Sequence, residues 1–356
     1  MSSLLTVVAG GIVGVVGGLA VFERLAPRAA ARVLLRLERR RCGLVAKSVR
    51  LRDHEVAYLE GGAGEPLILV HGFAATKDHF TRVASYLTPR YRVLIPDLPG
   101  FGDSSKAEEA SYSIADQVRS LRAFVDALDV GHAHLGGSSM GGFVVTEYAF
   151  AHPEAVGSLW LLGPLGTWAA VDSELTRRLL ESGENMLVVK TPADFARTAD
   201  FVMSRRPYMP YSVRQTLTSE AVANHALHSR IFQEIGPEHA PPLDTRLGNL
   251  SIPTLVIWGK EDRVLSPDAA ATYAAAMPRA EVLLMDGIGH LPMVESPRRT
   301  ALAYLHFRAR LSPAAIRSEV APGRDGRRED ASGDPHGDLP GDDAGSWSSR
   351  HGTDHV

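Results

Sequence analysis

Gly137-Ser138-Ser139-Met140-Gly141 decides how this chain folds; it lies between the apolar run Ala133-His134-Leu135 and the helix-like stretch Phe143-Val144-Val145-Thr146-Glu147-Tyr148-Ala149. A strand that turns sharply into a helix crowds the positions two before and two after the turn residue, and both are glycine here. The pattern is G-x-S-x-G, a strained turn that lifts its central hydroxyl off the carboxyl end of a parallel sheet. Ser138 cannot take the central place, because framing on it would put Met140 at the second glycine position. The candidate nucleophile is therefore Ser139. The next backbone N–H, from Met140, is aimed at whatever the hydroxyl attacks.

A hydroxyl attacks poorly until a base removes its proton, and that base needs a carboxylate to fix its tautomer and stabilise the imidazolium. In this arrangement the acid and then the histidine follow the serine along the chain. Both are present at strand ends. Thr254-Leu255-Val256-Ile257-Trp258-Gly259 reads as a buried strand running into Lys260-Glu261-Asp262. Glu281-Val282-Leu283-Leu284-Met285 is another, followed by Asp286-Gly287-Ile288-Gly289-His290. Open α/β sheets hold their ligands just past the carboxyl ends of their strands. Ser139, Asp262 and His290 are thus the expected catalytic set. Asp286 is the rival acid, disfavoured because it lies only four residues from His290 on the same connection.

Composition narrows the class. With 356 residues, 45% of them hydrophobic, one large or two modest globular units are possible. The 38 Lys and Arg do not exceed the 41 Asp and Glu, so nothing global draws the chain to nucleic acid. The single cysteine, Cys42, cannot form an internal disulfide, which fits a reducing compartment.

From Leu4 to Phe22 there is no charge. As a helix this stretch spans roughly 28 Å, close to the hydrocarbon thickness of a bilayer. It reads as a single membrane-spanning anchor. A cleaved signal peptide is the alternative, since Ala29-Ala30-Ala31 supplies small residues, but Met1-Ser2-Ser3 lacks the positive n-region of such signals. Arg24, Arg28, Arg32, Arg36, Arg39, Arg40 and Arg41 follow, and basic flanks stay on the cytoplasmic side, where the catalytic part is expected. Gly10, Gly14 and Gly18 could bring two anchors together as a homodimer face, although small residues are common in spans anyway. Arg28, Arg32, Arg36 and Arg40 share one helical face, suited to anionic headgroups. Residues 1–45 thus form the anchor and a basic juxtamembrane helix.

The first part of the core is assigned to residues 46–163. Val49 to Leu59 is patterned as a strand or hairpin. Pro66-Leu67-Ile68-Leu69-Val70-His71 is a continuous apolar run of the kind buried on both faces of a parallel sheet. The loop after such a strand supplies the second oxyanion donor of a serine hydrolase. That role is assigned to the Phe73 N–H, beside Met140. His71 is read as ordering the loop. The glycines of Asp97-Leu98-Pro99-Gly100-Phe101-Gly102-Asp103 do not cradle a phosphate, because no G-x-G-x-x-G follows and no helix opens directly. Ile114 to Leu128 has helical periodicity. His132 and His134 share a strand face without a third ligand at a recognisable spacing, so no metal is expected.

After Ser158-Leu159-Trp160-Leu161-Leu162 the strand–helix rhythm stops and resumes only at Thr254. An insertion of that size is read as a helical cap over the active site, residues 164–249, with methionines suited to a flexible apolar pocket. His225 and His228 within it are read as surface residues. Residues 250–311 complete the core, closing with an amphipathic helix from Ser296 to Leu311. Residues 312–356, rich in Gly, Pro, Asp, Ser and Arg, are expected to be a disordered tail.

His71-Gly72-Phe73-Ala74-Ala75-Thr76-Lys77-Asp78, Gly137-Ser138-Ser139-Met140-Gly141-Gly142, Ile257-Trp258-Gly259-Lys260-Glu261-Asp262-Arg263-Val264-Leu265 and Gly289-His290 together carry a resemblance. The chain resembles the α/β-hydrolase superfamily, and within it the membrane-anchored monoacylglycerol lipases. The resemblance runs in pieces from the anchor to about residue 311 and is weakest in the cap. It implies an α/β fold with a mostly parallel sheet and helices on both faces, a lipid ester substrate and acyl transfer to water without metal or organic cofactor. The carbon–carbon bond hydrolases of aromatic degradation resemble the chain in the elbow and the acid loop, but usually follow the catalytic histidine with tryptophan, where Leu291 stands here, and lack an anchor. Acyltransferases share the triad. A non-catalytic membrane-tethered binding module is the reading from another class, opposed by the intact Ser139, Asp262 and His290.

Overall fold

Leu67-Ile68-Leu69-Val70 has no polar side chain to turn toward water, and all four residues are wholly buried. Such a strand needs a packed layer on each face. In the computed structural model, which describes residues 18, 21–236 and 238–311, it belongs to an eight-stranded sheet. The strands are β1 (Leu44–Arg50), β2 (Glu55–Gly61), β3 (Glu65–Val70), β4 (Tyr91–Pro96), β5 (Ala133–Ser138), β6 (Val156–Leu162), β7 (Thr254–Gly259) and β8 (Ala280–Met285). Their spatial order is β1-β2-β4-β3-β5-β6-β7-β8; the β1–β2 and β2–β4 pairs are antiparallel and every pair from β4 across to β8 is parallel. The order reverses at the β3–β5 pair: the chain leaves β3 for β4 on one side, then crosses to β5 on the other. Ligands of open sheets bind at such a reversal, outside the carboxyl ends.

Alternate residues of the central strands feed two apolar layers. Ile68 and Val70 join Leu121, Phe124, Val144 and Tyr148 on one face. Leu67 and Leu69 join Phe80, Trp160, Tyr304 and Phe307 on the other, where the Trp160 and Tyr304 rings stack at 4.4 Å. The first face is covered by helices Ile114–Ala127 and Met140–Ala151, the second by Pro297–Arg310. Ser113 caps the Ile114 helix by accepting from Asp116 N–H, so the chain turns off the sheet at a defined point. A helix at Ala269–Ala276 carries no large periodic apolar stripe; its alanines supply propensity and Tyr273 the buried anchor.

Between β6 and β7 the described residues form five α-helices, Trp168–Val171, Glu174–Ser182, Pro192–Val202, Tyr211–Ala223 and His225–Glu234, and a short 3-10 helix, Leu247–Asn249. The helix Pro27–Arg41 is seated against Tyr211–Ala223 and against β1. Arg39 donates to both carboxylate oxygens of Asp78 at 2.7 and 2.6 Å, and Glu38 accepts from Arg82 at 2.7 Å. The basic helix is therefore docked on the body of the protein, with Arg32, Arg36 and Arg40 left exposed. Of the apolar stretch from Leu4 to Phe22, only Gly18, Val21 and Phe22 are described; the rest, and residues 312–356, lie outside the described residues. Among the described residues no helix is long and apolar enough to cross a membrane.

The core account predicts that Leu135→Ala, in the wholly buried β5 between β3 and β6, costs about 2–5 kcal/mol in urea unfolding. A loss under about 1 kcal/mol would contradict the packing described.

Candidate active site

The register of three parallel strands sets the site. Val70 pairs with Gly137 across β3 and β5, so Phe73 and Ser139, three and two residues further on, leave adjacent strand ends. Ser139 sits at φ 55° and ψ −122°, a conformation that L side chains rarely adopt, and starts the helix Met140–Ala151. Two glycines make that turn possible. A Cβ on Gly137 would lie 2.3 Å from Gly141 O, and one on Gly141 would lie 2.2 Å from Val70 O. The turn is held by Ser139 N–H donating to Leu162 O at 3.0 Å and by Leu165 N–H donating to Ser139 O at 3.0 Å.

The backbone N–H groups of Phe73 and Met140 have no acceptor among the described residues. A Cβ on Gly72 would meet Ser139 Cβ at 3.0 Å and Oγ at 3.6 Å, so the loop before Phe73 runs directly against the serine. That loop is pinned from behind. Lys77 N–H donates to Asp97 Oδ1 at 2.7 Å, and the buried Lys77 ammonium donates to Asp97 at 2.5 Å and to Asp103 at 2.6 Å. Burial opposes that charge, but Asp97 and Asp103 outweigh it and hold the ammonium pKa above its ordinary value. His71 Nδ1–H donates to Gly72 O at 2.7 Å while its Nε2 accepts from Leu98 N–H at 2.9 Å. With both nitrogens occupied and burial lowering its pKa, His71 orders the loop as a neutral ring.

Asp262 follows β7 and His290 follows β8. The two loops touch because Gly259 has no side chain: a Cβ there would lie 2.1 Å from Gly289 O. Glu261 N–H donates to Ile288 O at 3.0 Å, and Ile288 N–H donates to Glu261 Oε2 at 2.9 Å. His290 Nδ1 lies 2.7 Å from Asp262 Oδ2. An ionised carboxylate only accepts, so Nδ1 carries a proton, which in the neutral ring leaves the lone pair on Nε2. Asp262 Oδ2 also accepts from Trp258 Nε1 at 2.9 Å, and Oδ1 accepts from Val264 N–H and Leu265 N–H at 2.8 and 3.0 Å. Asp286 stands elsewhere, 2.6 Å from Lys260 in an exposed ion pair.

Gly163 joins the two halves. It follows Leu162, the acceptor for Ser139 N–H, and a Cβ on it would lie 3.3 Å from Asp262 Oδ2 and 3.5 Å from His290 Nδ1. Ser139 Oγ itself makes no hydrogen bond among the described residues, so the serine–histidine bond is open in this conformation. Catalytic bonds of this kind often tighten only with substrate.

Two features escape a reading of the sequence. Glu295 accepts from Gly289 N–H and Leu291 N–H on either side of the histidine and from Ser204 N–H and Arg205 N–H, while His290 N–H donates to Val202 O at 2.8 Å. The histidine loop is thus clamped to the segment after Pro192–Val202. A glutamate five residues past a candidate histidine is the only signal the sequence holds. The second feature corrects an expectation. His225 is exposed, but His228 is buried, edge-on to Phe73 at 5.9 Å and tilted against Phe101 at 5.6 Å. Helix His225–Glu234 turns it inward with Ile231, and Phe232 meets Phe73 at 5.4 Å.

Burial lowers the His228 pKa from its ordinary 6.5 to about 4. The unfolded chain therefore binds the extra proton first, and stability falls as the pH drops from about 6.5 through 4. His228→Leu is expected to flatten that acid limb in urea unfolding followed across pH. An unchanged slope would show that the ring is solvated.

The profile described as alpha/beta hydrolase fold matches residues 65–297. The chain is 37% identical over 281 residues to lipase 1 of Psychrobacter immobilis, covering 78% of this chain and 88% of that protein. It is 29% identical over 295 residues to monoacylglycerol lipase ABHD6 of Homo sapiens, covering 80% and 88%. The crystal structure of a membrane phospholipase A, a bacterial virulence factor, superposes with a TM-score of 0.78 at 39% identity over 87% of this chain and 98% of that one. With its sheet order, its elbow and a match over more than half its length, this chain belongs to the α/β-hydrolase fold family.

Proposed function

We propose that the protein hydrolyses carboxylic esters of lipids through an acyl-enzyme on Ser139. The observation that carries this reading is the Asp262–His290 pair at 2.7 Å, its carboxylate filled by four donors, beside the strained elbow. Ser139 attacks the ester carbonyl, and His290 takes its proton and delivers it to the leaving alcohol. Asp262 holds the imidazole and stabilises its charge. The Phe73 and Met140 amides receive the oxyanion; each such donor is worth about 3 kcal/mol of barrier. A water activated by His290 then releases the fatty acid.

A monoacylglycerol-type ester is the proposed substrate, supported by the resemblance to monoacylglycerol lipases and by the apolar contacts among Phe73, Phe101 and Phe232 beside the oxyanion loop. Residues 164–249 act as the cap that selects the acyl chain. The stretch from Leu4 to Phe22 anchors the enzyme in the bilayer, where such an ester partitions, with the catalytic body on the cytoplasmic side. A membrane phospholipase A among similar structures makes phospholipid the second substrate to assay.

Ser139→Ala is expected to lower hydrolysis of a short-chain nitrophenyl ester at least about a thousandfold and to abolish fluorophosphonate labelling. Asp262→Asn loses about 10⁴-fold in kcat, while Asp286→Asn stays within about twofold of wild type, as its exposed pair with Lys260 suggests. Full activity in Ser139→Ala would refute the reading, and the reverse ranking of the two aspartates would reassign the acid. Detergent assays against monoacylglycerols, phospholipids and simple esters rank the substrates.

A further inference from the structure

Helix Pro27–Arg41, the cap helix Tyr211–Ala223 and the loop at Thr76–Asp78 border an open cavity of about 390 Å³. Arg32, Arg36, Arg39, Arg40 and Lys77 line it, against three carboxylates. Two of those carboxylates are already matched: Asp78 receives Arg39, and Asp103 receives Lys77. The guanidiniums of Arg32, Arg36 and Arg40 have no ion-pair or hydrogen-bond partner among the described residues, and Glu220 is the one acid left in the lining. Thr216 Oγ1, in the same wall, is a buried polar atom without a hydrogen-bond partner.

A buried hydroxyl is seldom left unsatisfied, and Arg32, Arg36 and Arg40, on successive turns of one helix, all border the same cavity with their guanidiniums unpaired among the described residues. Tetrahedral oxyanions with several acceptor oxygens suit such an array better than a planar carboxylate, which two forks already saturate. Leu35, Val213 and Leu217 make the rest of the lining apolar, and a small hydrated ion gains nothing from them. The volume also falls in the range of about 300–1,000 Å³ usual for small organic ligands.

We propose that this cavity binds the phosphate of a glycerophospholipid headgroup, held by Arg32, Arg36 and Arg40 with the Thr216 hydroxyl donating, and the glycerol and first methylenes against Leu35 and Leu217. A free phosphate ester shares the charged part of this chemistry. The apolar wall and the place of Arg32–Arg40 shortly after Phe22 in the chain select the lipid. Only that choice of source rests on the membrane reading above. The ligand would sit against Thr76, Lys77 and Asp78, which continue the loop that carries Phe73, so an occupied site braces the oxyanion side of the enzyme.

The test is calorimetric titration of the full chain in a neutral detergent with two probes: glycerol 3-phosphate, and a short-chain diether phosphatidylglycerol that no esterase can cleave. Binding is thus read without turnover, and its failure is separable from failure of the Ser139 mechanism. Both probes are expected to bind, the diether lipid about tenfold more tightly. Arg32→Gln and Arg36→Gln should each weaken both about tenfold, while Arg41→Gln, outside the lining, stays within about twofold. No binding of either probe up to about 10 mM, or an equal loss in Arg41→Gln, overturns the site; equal affinity for the two probes overturns the assignment to a lipid.

Discussion

Four hydrogen bonds converge on one carboxylate, and the site is built around them. Asp262 accepts from His290, from the Trp258 indole and from two backbone amides of its own loop. A buried carboxylate keeps its charge only when its lone pairs are filled by donors or opposed by cations. Apart from His290 the partners are two backbone amides and an indole, so in the proposed mechanism the negative charge is available to the imidazolium that forms when the serine loses its proton. Removal of a backbone-filled carboxylate also unseats the turn that holds it, and the residue is at once an electrostatic and a conformational element.

The remainder of the site is a matter of how closely backbones can approach. Gly137 and Gly141 let β5 bend into its helix against β3, and Gly259 lets the acid loop rest on the histidine loop. These contacts bring the end of β5 against that of β3, at the reversal of strand order, and the loop after β7 against the loop after β8. The long ion triad of Lys77, Asp97 and Asp103 fixes the oxyanion loop from below, and Glu295 ties the histidine loop to the segment after Pro192–Val202. The segment after Pro192–Val202 and the His290 loop are therefore mechanically joined.

Much of this was legible in the chain because the local signals agree with the global fold. Continuous apolar runs located β3, β5, β6 and β7, since a strand buried on both faces has no use for polar residues. The glycine spacing marked the elbow, and the order of acid and base expected after it singled out Asp262 and His290, which the fold pairs at 2.7 Å. Contacts set by long-range packing were not legible. No periodicity announces that His228 turns inward onto Phe73, that Glu295 closes a clamp, or that Arg39, off the basic face of Arg28, Arg32, Arg36 and Arg40, binds Asp78, thirty-nine residues away. Each depends on which surfaces the fold brings opposite one another. The Arg39–Asp78 bond in particular turns a helix that reads as a membrane-surface element into one that also packs on the enzyme body.

The central claim is that one crevice holds the serine, the imidazole and two amide donors in working order. The structure of a phosphonate adduct tests it most directly, since the tetrahedral phosphorus imitates the intermediate of acyl transfer. Phosphorus bonded to Ser139 Oγ, a phosphonyl oxygen about 3 Å from both the Phe73 and Met140 nitrogens, and His290 Nε2 closed to about 3 Å of the serine or leaving-group oxygen are predicted. An adduct on another residue, or on Ser139 with its oxygen turned away from both amides and from His290, would contradict the account.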